Sequence, residues 1–278
     1  MMPRRAFLAA GAVALSLPRR AWAGASRIIF PSAIEQGELV VGHAPPGTEV
    51  TVDGSKTRIS DTGAFVFGFA YDRIQPARVV AAFADGTHET LDVTPAARTY
   101  EVQRITGLPQ KFVSPPPEDL QRIQREHASL TEARTRDSDG TGFVQTFEWP
   151  FPGIVSGVYG SQRIDNGTPM APHLGVDIAA PEGTPIHAPA DAVVSIADDY
   201  FLEGGFTLLD HGHGVSTCYL HQSKRMVKPG DKVARGDVIG LVGQTGRATG
   251  PHTHWGLNWF QLKLDPSLST ATPLPPRS

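Results

Sequence analysis

Five residues in the C-terminal part of the chain have the types and spacing to hold a metal and move protons: His173 and Asp177 in His-x-x-x-Asp, His221 closing Tyr219-Leu220-His221, and His252 and His254 in His-x-His. They offer imidazole nitrogens and one carboxylate, with imidazoles to spare for proton transfer. That mixture suits a catalytic zinc centre, which keeps a position open for water, better than a closed structural one. Cys218 is the only cysteine, so a thiolate-rich structural zinc site and an intramolecular disulfide are both excluded. Lying in an apolar strand pattern with nothing to activate it, Cys218 reads as a buried, inert thiol.

Backbone geometry says how these side chains must be presented. Residues two apart on a strand share a face, so His252 and His254 point the same way. His173 and Asp177 share a face too if extended, but four extended residues cover about 13 Å, too far for two ligands of one ion. His173 must therefore reach back from a loop before the strand, and Ala171-Pro172 supplies a bend. Leu174, Val176 and Ile178 alternate to the opposite face and can hold that strand to a core. No helical His-Glu-x-x-His pattern occurs. The rival pair His211-Gly212-His213 is interleaved with glycine after Asp210 and reads as a tight turn between strands. His187, His43 and His88 have no ligand partner at suitable spacing and read as packed or surface residues.

The elements around these residues are mainly β. Glu38–Gly42, Glu49–Gly54, Ala64–Phe69, Ala77–Phe83 and His88–Val93 are β-branched or aromatic runs separated by Pro-Gly, Asp-Gly and Asp-x-Gly turns, the signature of a small β-sandwich. After Ser114-Pro-Pro-Pro117, Leu120, Ile123, His127 and Leu130 recur at helical spacing behind acidic residues that favour a helix start, predicting a linker helix over 118–136. Asp137–Gly142 is a polar loop without the remaining ligands of a calcium-binding hand. From Phe143 onward, runs such as 192–196, 206–210, 215–220 and 237–242 predict a folded antiparallel sheet. Tyr159, Tyr219, Trp255 and Trp259 are either rims of a substrate groove or core of that sheet.

The chain has 278 residues and a formal charge of −3 without a basic block, which argues against nucleic-acid binding. Its first residues read as an export signal: Arg4-Arg5, an apolar stretch from Ala6 to Leu17 too short to span a bilayer, and Ala21-Trp22-Ala23 before Gly24. Arg4-Arg5-Ala6-Phe7-Leu8 and the weakly apolar core fit the twin-arginine route. An exported location, in the periplasm or cell envelope, is expected, with no stable membrane span in the mature chain.

The run from His173-Leu-Gly-Val-Asp177 through Pro181-Glu-Gly-Thr-Pro, Thr217-Cys-Tyr-Leu-His221, Val227-Lys-Pro-Gly-Asp and Gly243-Gln-Thr-Gly-Arg-Ala-Thr-Gly-Pro-His252-Thr-His254 resembles the M23 (LytM/lysostaphin-type) zinc metallopeptidases, in order, over roughly 149–266. Thr253, where an apolar residue is usual, and Ala192, where glycine is common, are small departures. The resemblance implies His173, Asp177 and His254 as ligands of Zn2+, His221 and His252 as catalytic histidines, and attack of a zinc-bound water on peptide cross-links of peptidoglycan. It also implies the alternative taken by some members, a catalytically silent wall-binding or hydrolase-regulating module, although such members usually lack metal ligands. The expected organisation is a signal peptide (1–23), an N-terminal immunoglobulin-like β-sandwich (24–110), a linker with a helix (111–142), a LytM-type antiparallel β peptidase domain (143–268) and a flexible tail (269–278).

Overall fold

The structure, a computed structural model, describes residues 26–107 and 109–277. The expected export signal lies outside the described residues. The chain forms β1 (Leu39–His43), β2 (Glu49–Val52), β3 (Ser55–Lys56), β4 (Ala64–Gly68), β5 (Ala77–Ala82), β6 (His88–Val93) and β7 (Val102–Ile105) before helices α1 (Gln110–Val113) and α2 (Pro117–Ala133). There follow β8 (Ile154–Gly157), β9 (Gln162–Asp165), β10 (Thr168–Pro169), β11 (Val176–Ala179), β12 (Pro185–His187), β13 (Ala192–Tyr200) and β14 (Gly204–Gly212). The chain ends with β15 (Val215–Gln222), β16 (Lys224–Arg225), β17 (Lys232–Val233), β18 (Val238–Leu241), β19 (His252–Trp259) and β20 (Leu262–Leu264). Among the described residues no helix is long and apolar enough to cross a membrane.

The N-terminal strands form two small antiparallel sheets, β1-β4 and β3-β2-β5-β6. Val40, Phe65, Phe67 and Phe69 from the first share one core with Val50, Val52, Val79 and Ala81 from the second. Strand β4 is buried along its whole length. Period-two alternation explains how: Phe65 and Phe67 face this core while Ala64 and Val66, with Leu39 of β1, face the core of the C-terminal sheet. Gly68 lets the strand lie close to Leu264, whose methyl carbons a Cβ would meet at 2.8 Å.

The C-terminal sheet is antiparallel in the order β17-β13-β14-β15-β19-β11-β8, with β20 on the edge of β19. A smaller sheet, β12-β18-β16, closes over it, and Ile186 and Ile239 from that sheet join Val176, Ile178, Tyr219, Trp255 and Leu257 in one core. Tyr159, Tyr219 and Trp255 are thus core residues, and Trp259 is half-buried against both cores; none of the four lines the recesses beside Asp177 and His254. Helix α2 starts with Pro117 in its first turn, followed by Glu118 and Asp119. It lies on the outer face of the sheet, with Leu130 and Ala133 against the cluster of Ile196, Tyr200, Phe206 and Cys218. Arg122 donates to the Asp199 carbonyl and Glu126 accepts from Phe201 N–H, fixing its orientation.

Two connections were not foreseen. Strand β7, placed by the sequence with the N-terminal unit, pairs parallel with β9, so this segment extends the β9-β10 hairpin beside the loop of residues 170–175. The last residues, expected as a flexible tail, run back along the C-terminal unit: Thr270 bridges to Phe147, Arg277 bridges to Val155, and the Arg277 guanidinium forms a two-bonded pair with Glu101.

Asp265 joins the two units. It accepts from the Arg98 guanidinium at 2.9 Å, caps the following turn through Ser267 N–H, and donates its own N–H to the Gly37 carbonyl. Its side chain is only 2% exposed. Removing one partner of such a buried pair leaves the other uncompensated, so Asp265→Ala is expected to lower unfolding free energy by about 3 kcal/mol, measured by chemical denaturation.

Candidate functional site

Strands β11 and β19 pair so that Asp177 stands directly opposite His254. Across that ladder His254 Nδ1 approaches Asp177 Oδ1 to 2.9 Å. His173 comes from the loop before β11, as the bend at Pro172 predicts, and its Nε2 lies 2.8 Å from His254 Nδ1 and 3.1 Å from Asp177 Oδ1. Gly175 makes the approach possible, because a Cβ there would collide with the His254 ring.

Each member is held from behind. His173 Nδ1 donates to the Val158 carbonyl at 3.1 Å, which turns its Nε2 toward the cluster. Arg163, on β9, donates to the second oxygen of Asp177. Burial opposes ionisation of Asp177, yet the charges of His173 and Arg163 and the hydrogen bonds from His173 and His254 outweigh it and hold its carboxyl well below the usual range. Burial pushes His254 down to about 4 despite the opposing pull of Asp177.

The other two histidines form a second pair nearby. The rings of His221 and His252 lie 4.7 Å apart. His221 Nδ1 donates to the Thr245 carbonyl at 2.9 Å and His252 Nδ1 to the Gly250 carbonyl at 2.8 Å, so Nε2 is the nitrogen each ring leaves free of these bonds. Burial, then the neighbouring His252 and His254, push His221 well below the ordinary histidine range. His221 also has φ 66°, a left-handed conformation uncommon outside glycine and the kind of local strain that gathers at functional sites. A groove runs past the cluster, with His173, His221 and His254 on one stretch and Asp177 and His252 on the next.

The structure thus brings together all five residues singled out in the sequence and leaves the rest apart. His211 lies within β14, one residue before its end, fully buried, with its Nδ1 on the Asp191 carbonyl and its Nε2 on Thr217 Oγ1, and His213 sits in the turn at φ 52°. His187 donates to the Gly236 carbonyl, and His43 and His88 are exposed. Cys218 is buried, and burial pushes its thiol up. Asp137 and Asp139 of the acidic loop both pair with Arg58. Sequence reasoning passed over Arg163, since no local pattern ties residue 163 to the Asp177 carboxylate.

The model of peptidase family M23 matches residues 171–266. A crystal structure of a Pseudomonas aeruginosa protein assigned to peptidase M23 superposes with a TM-score of 0.64 at 32% identity, over 84% of this chain and 94% of that one. This chain belongs to peptidase family M23. Among curated M23 relatives, the peptidoglycan DD-endopeptidase ShyA of Vibrio cholerae is 48% identical over 88 residues, 32% of this chain and 20% of ShyA. The DD-carboxypeptidase/endopeptidase Mpg of Neisseria meningitidis serogroup B is 41% identical over 103 residues, 37% of this chain and 24% of Mpg. The match thus spans about a fifth to a quarter of these relatives.

His211 carries a pH prediction for this M23 chain. Burial lowers it from 6.5 to about 4, so below 6.5 the unfolded chain takes up a proton that the folded chain refuses. The stabilisation is full above pH 6.5 and is lost as pH falls toward 4, by about 3 kcal/mol at most. Urea unfolding of wild type and His211→Gln at pH 7, 6, 5 and 4 is expected to show the steeper acid loss in wild type.

Proposed function

We propose that this protein is an exported zinc endopeptidase that hydrolyses peptide cross-links of peptidoglycan. The observation that carries the reading is the donor triangle of His173, Asp177 and His254, whose ligand atoms lie within 4.8 Å of one another. Its shortest contacts, 2.8 to 3.1 Å, are close to the edge of about 3.3 Å that a tetrahedron with bonds near 2 Å requires. Two imidazole nitrogens and one carboxylate oxygen match zinc's preference, and three protein donors leave a position open. The second partners of His173 and Asp177, the Val158 carbonyl and Arg163, orient those ligands as outer-shell groups do at metal sites.

Bound there, zinc supplies Lewis acidity, lowering the pKa of a water toward neutrality and polarising a peptide carbonyl. The protein's own residues supply the rest. His221, held neutral by burial, offers Nε2 to take a proton from the attacking water. His252, half-buried at the groove, is placed to hydrogen-bond the developing oxyanion through Nε2 when its ring carries a proton there, and the proton taken up by His221 returns to the leaving amine. The carbonyls of Thr245 and Gly250 hold both rings by Nδ1, which leaves each Nε2 for this chemistry.

The substrate class is supported by the relatives, two of whose names specify DD-endopeptidase activity. The silent-module alternative is disfavoured because the ligand triangle and both accessory histidines are complete. In the mature protein, His173→Ala and Asp177→Ala are expected to lose zinc and activity together, whereas His221→Ala and His252→Ala keep zinc and lose about 10² to 10⁴ in rate. Elemental analysis paired with mass analysis of muropeptide digests checks this. Full zinc in His173→Ala, or full activity in both His221→Ala and His252→Ala, would overturn it.

Export is supported by Arg4-Arg5 and Ala21-Trp22-Ala23. Replacing both arginines by lysine is expected to stop export of a reporter fused to this signal. Undiminished export in cells lacking the twin-arginine translocase would sink that route.

A further inference from the structure

Beside Asp177 and His252 the groove opens into a recess walled on one side by β7 and β9 and on the other by the loop of residues 247–251. Its polar groups are conspicuously unpaired. Asp165, at the end of β9, is 2% exposed, and its Oδ1 is buried with no hydrogen-bond partner. Gln103 of β7 spends its amide N–H on the Ser156 carbonyl, which leaves Oε1 buried and unpartnered. Arg163 gives one terminal nitrogen to Asp177, and its Nε is likewise buried without an acceptor. Arg247, from the opposite wall, finds neither a hydrogen-bond nor an ion-pair partner for its guanidinium among the described residues.

Buried polar groups are normally satisfied, and a buried carboxylate without a donor is costly. Asp165 and Arg247 could have neutralised each other, but no ion pair joins them. One recess therefore offers two unused acceptors, Asp165 Oδ1 and Gln103 Oε1, and two unused donors, Arg163 Nε and Arg247. A ligand that satisfies both sets carries donors and acceptors on one small group.

We infer that this recess is a specificity subsite for a zwitterionic group, its ammonium held by Asp165 and Gln103 and its carboxylate by Arg247 and Arg163. The substrate class rests on the peptidase reading above: in a peptide, such a group is the far end of a diamino dicarboxylic acid side chain, such as diaminopimelate in a peptidoglycan stem. A lysine in the same place brings the ammonium and lacks the carboxylate. The recess adjoins His252, so a side chain seated in it fixes the neighbouring peptide bond relative to the metal ligands.

The test separates binding from hydrolysis. The zinc-loaded mature chain is titrated calorimetrically with three stem tetrapeptides that contain no cross-link: one with diaminopimelate at the third position, one with lysine, and one with diaminopimelate whose distal amine is acetylated. The same enzyme is then assayed on cross-linked dimers of the first two types. The expected result is affinity for the diaminopimelate peptide about tenfold or more above each of the others, as for loss of a charged hydrogen-bond partner. Arg247→Gln, at the groove surface, should abolish the preference over lysine, and the near-isosteric Asp165→Asn the preference over the acetylated peptide, with circular dichroism confirming the fold of each. Equal affinity of wild type for all three peptides, or preferences unchanged in both variants, overturns the subsite. Selective binding without hydrolysis of either dimer would sustain the subsite and remove the peptidase reading; hydrolysis without selectivity would do the reverse.

Discussion

The whole site depends on one register, that of β11 against β19, which sets Asp177 opposite His254. Because side chains alternate with a period of two, a slip of one residue would turn both side chains into the core and put Val176 or Ile178 on the groove face. What prevents the slip is apolar: Val176, Ile178 and Trp255 are essentially fully buried on the other face. Full burial of each such side chain is worth roughly 1.5 to 3 kcal/mol, enough together to oppose the cost of bringing a carboxylate and two imidazoles out of water. Core packing thus positions the chemistry from the reverse side of the same two strands.

The groove face is polar, and its order comes from loops. Main-chain carbonyls of Val158, Thr245 and Gly250 each accept a hydrogen bond from one imidazole Nδ1, which fixes three rings without adding charge. Arg163 does add charge, and it does so at the carboxylate, where it favours the ionised form a metal needs. Each histidine is thereby aimed by an atom whose place is fixed by backbone geometry, so the arrangement is largely formed in advance of any ligand.

The site was legible in the sequence because its spacing carried geometry. Two histidines separated by Thr253 had to share a face, and a histidine four residues before Asp177 had to bend back from Pro172 to meet it. The long strands of the C-terminal sheet and most of the N-terminal strands could likewise be read from alternation. What escaped depended on distant pairing. Strand β7 is only four residues long and its partner β9 begins at Gln162, so no local pattern announces their contact. The final prolines suggested fraying, yet Arg277 finds Glu101 and Thr270 finds Phe147, contacts invisible to composition. Aromatic type could not separate rim from core at Tyr159, Tyr219 and Trp255, since either use suits a large amphipathic ring.

Strand β4 gives the N-terminal unit a standing that its lack of chemistry conceals. With Phe65 and Phe67 in one core and Ala64 and Val66 in the other, the strand is a party wall shared by both halves of the molecule. An appendage of the usual modular kind can be removed at a linker and leave its neighbour intact. Here the natural cutting place, the proline run before α2, falls after the shared wall, and excision there would open the peptidase core along Leu39, Ala64 and Val66. Transplanting the catalytic half onto another partner would therefore call for a replacement wall, and the inheritance of the two halves is tied together by packing rather than by any common task.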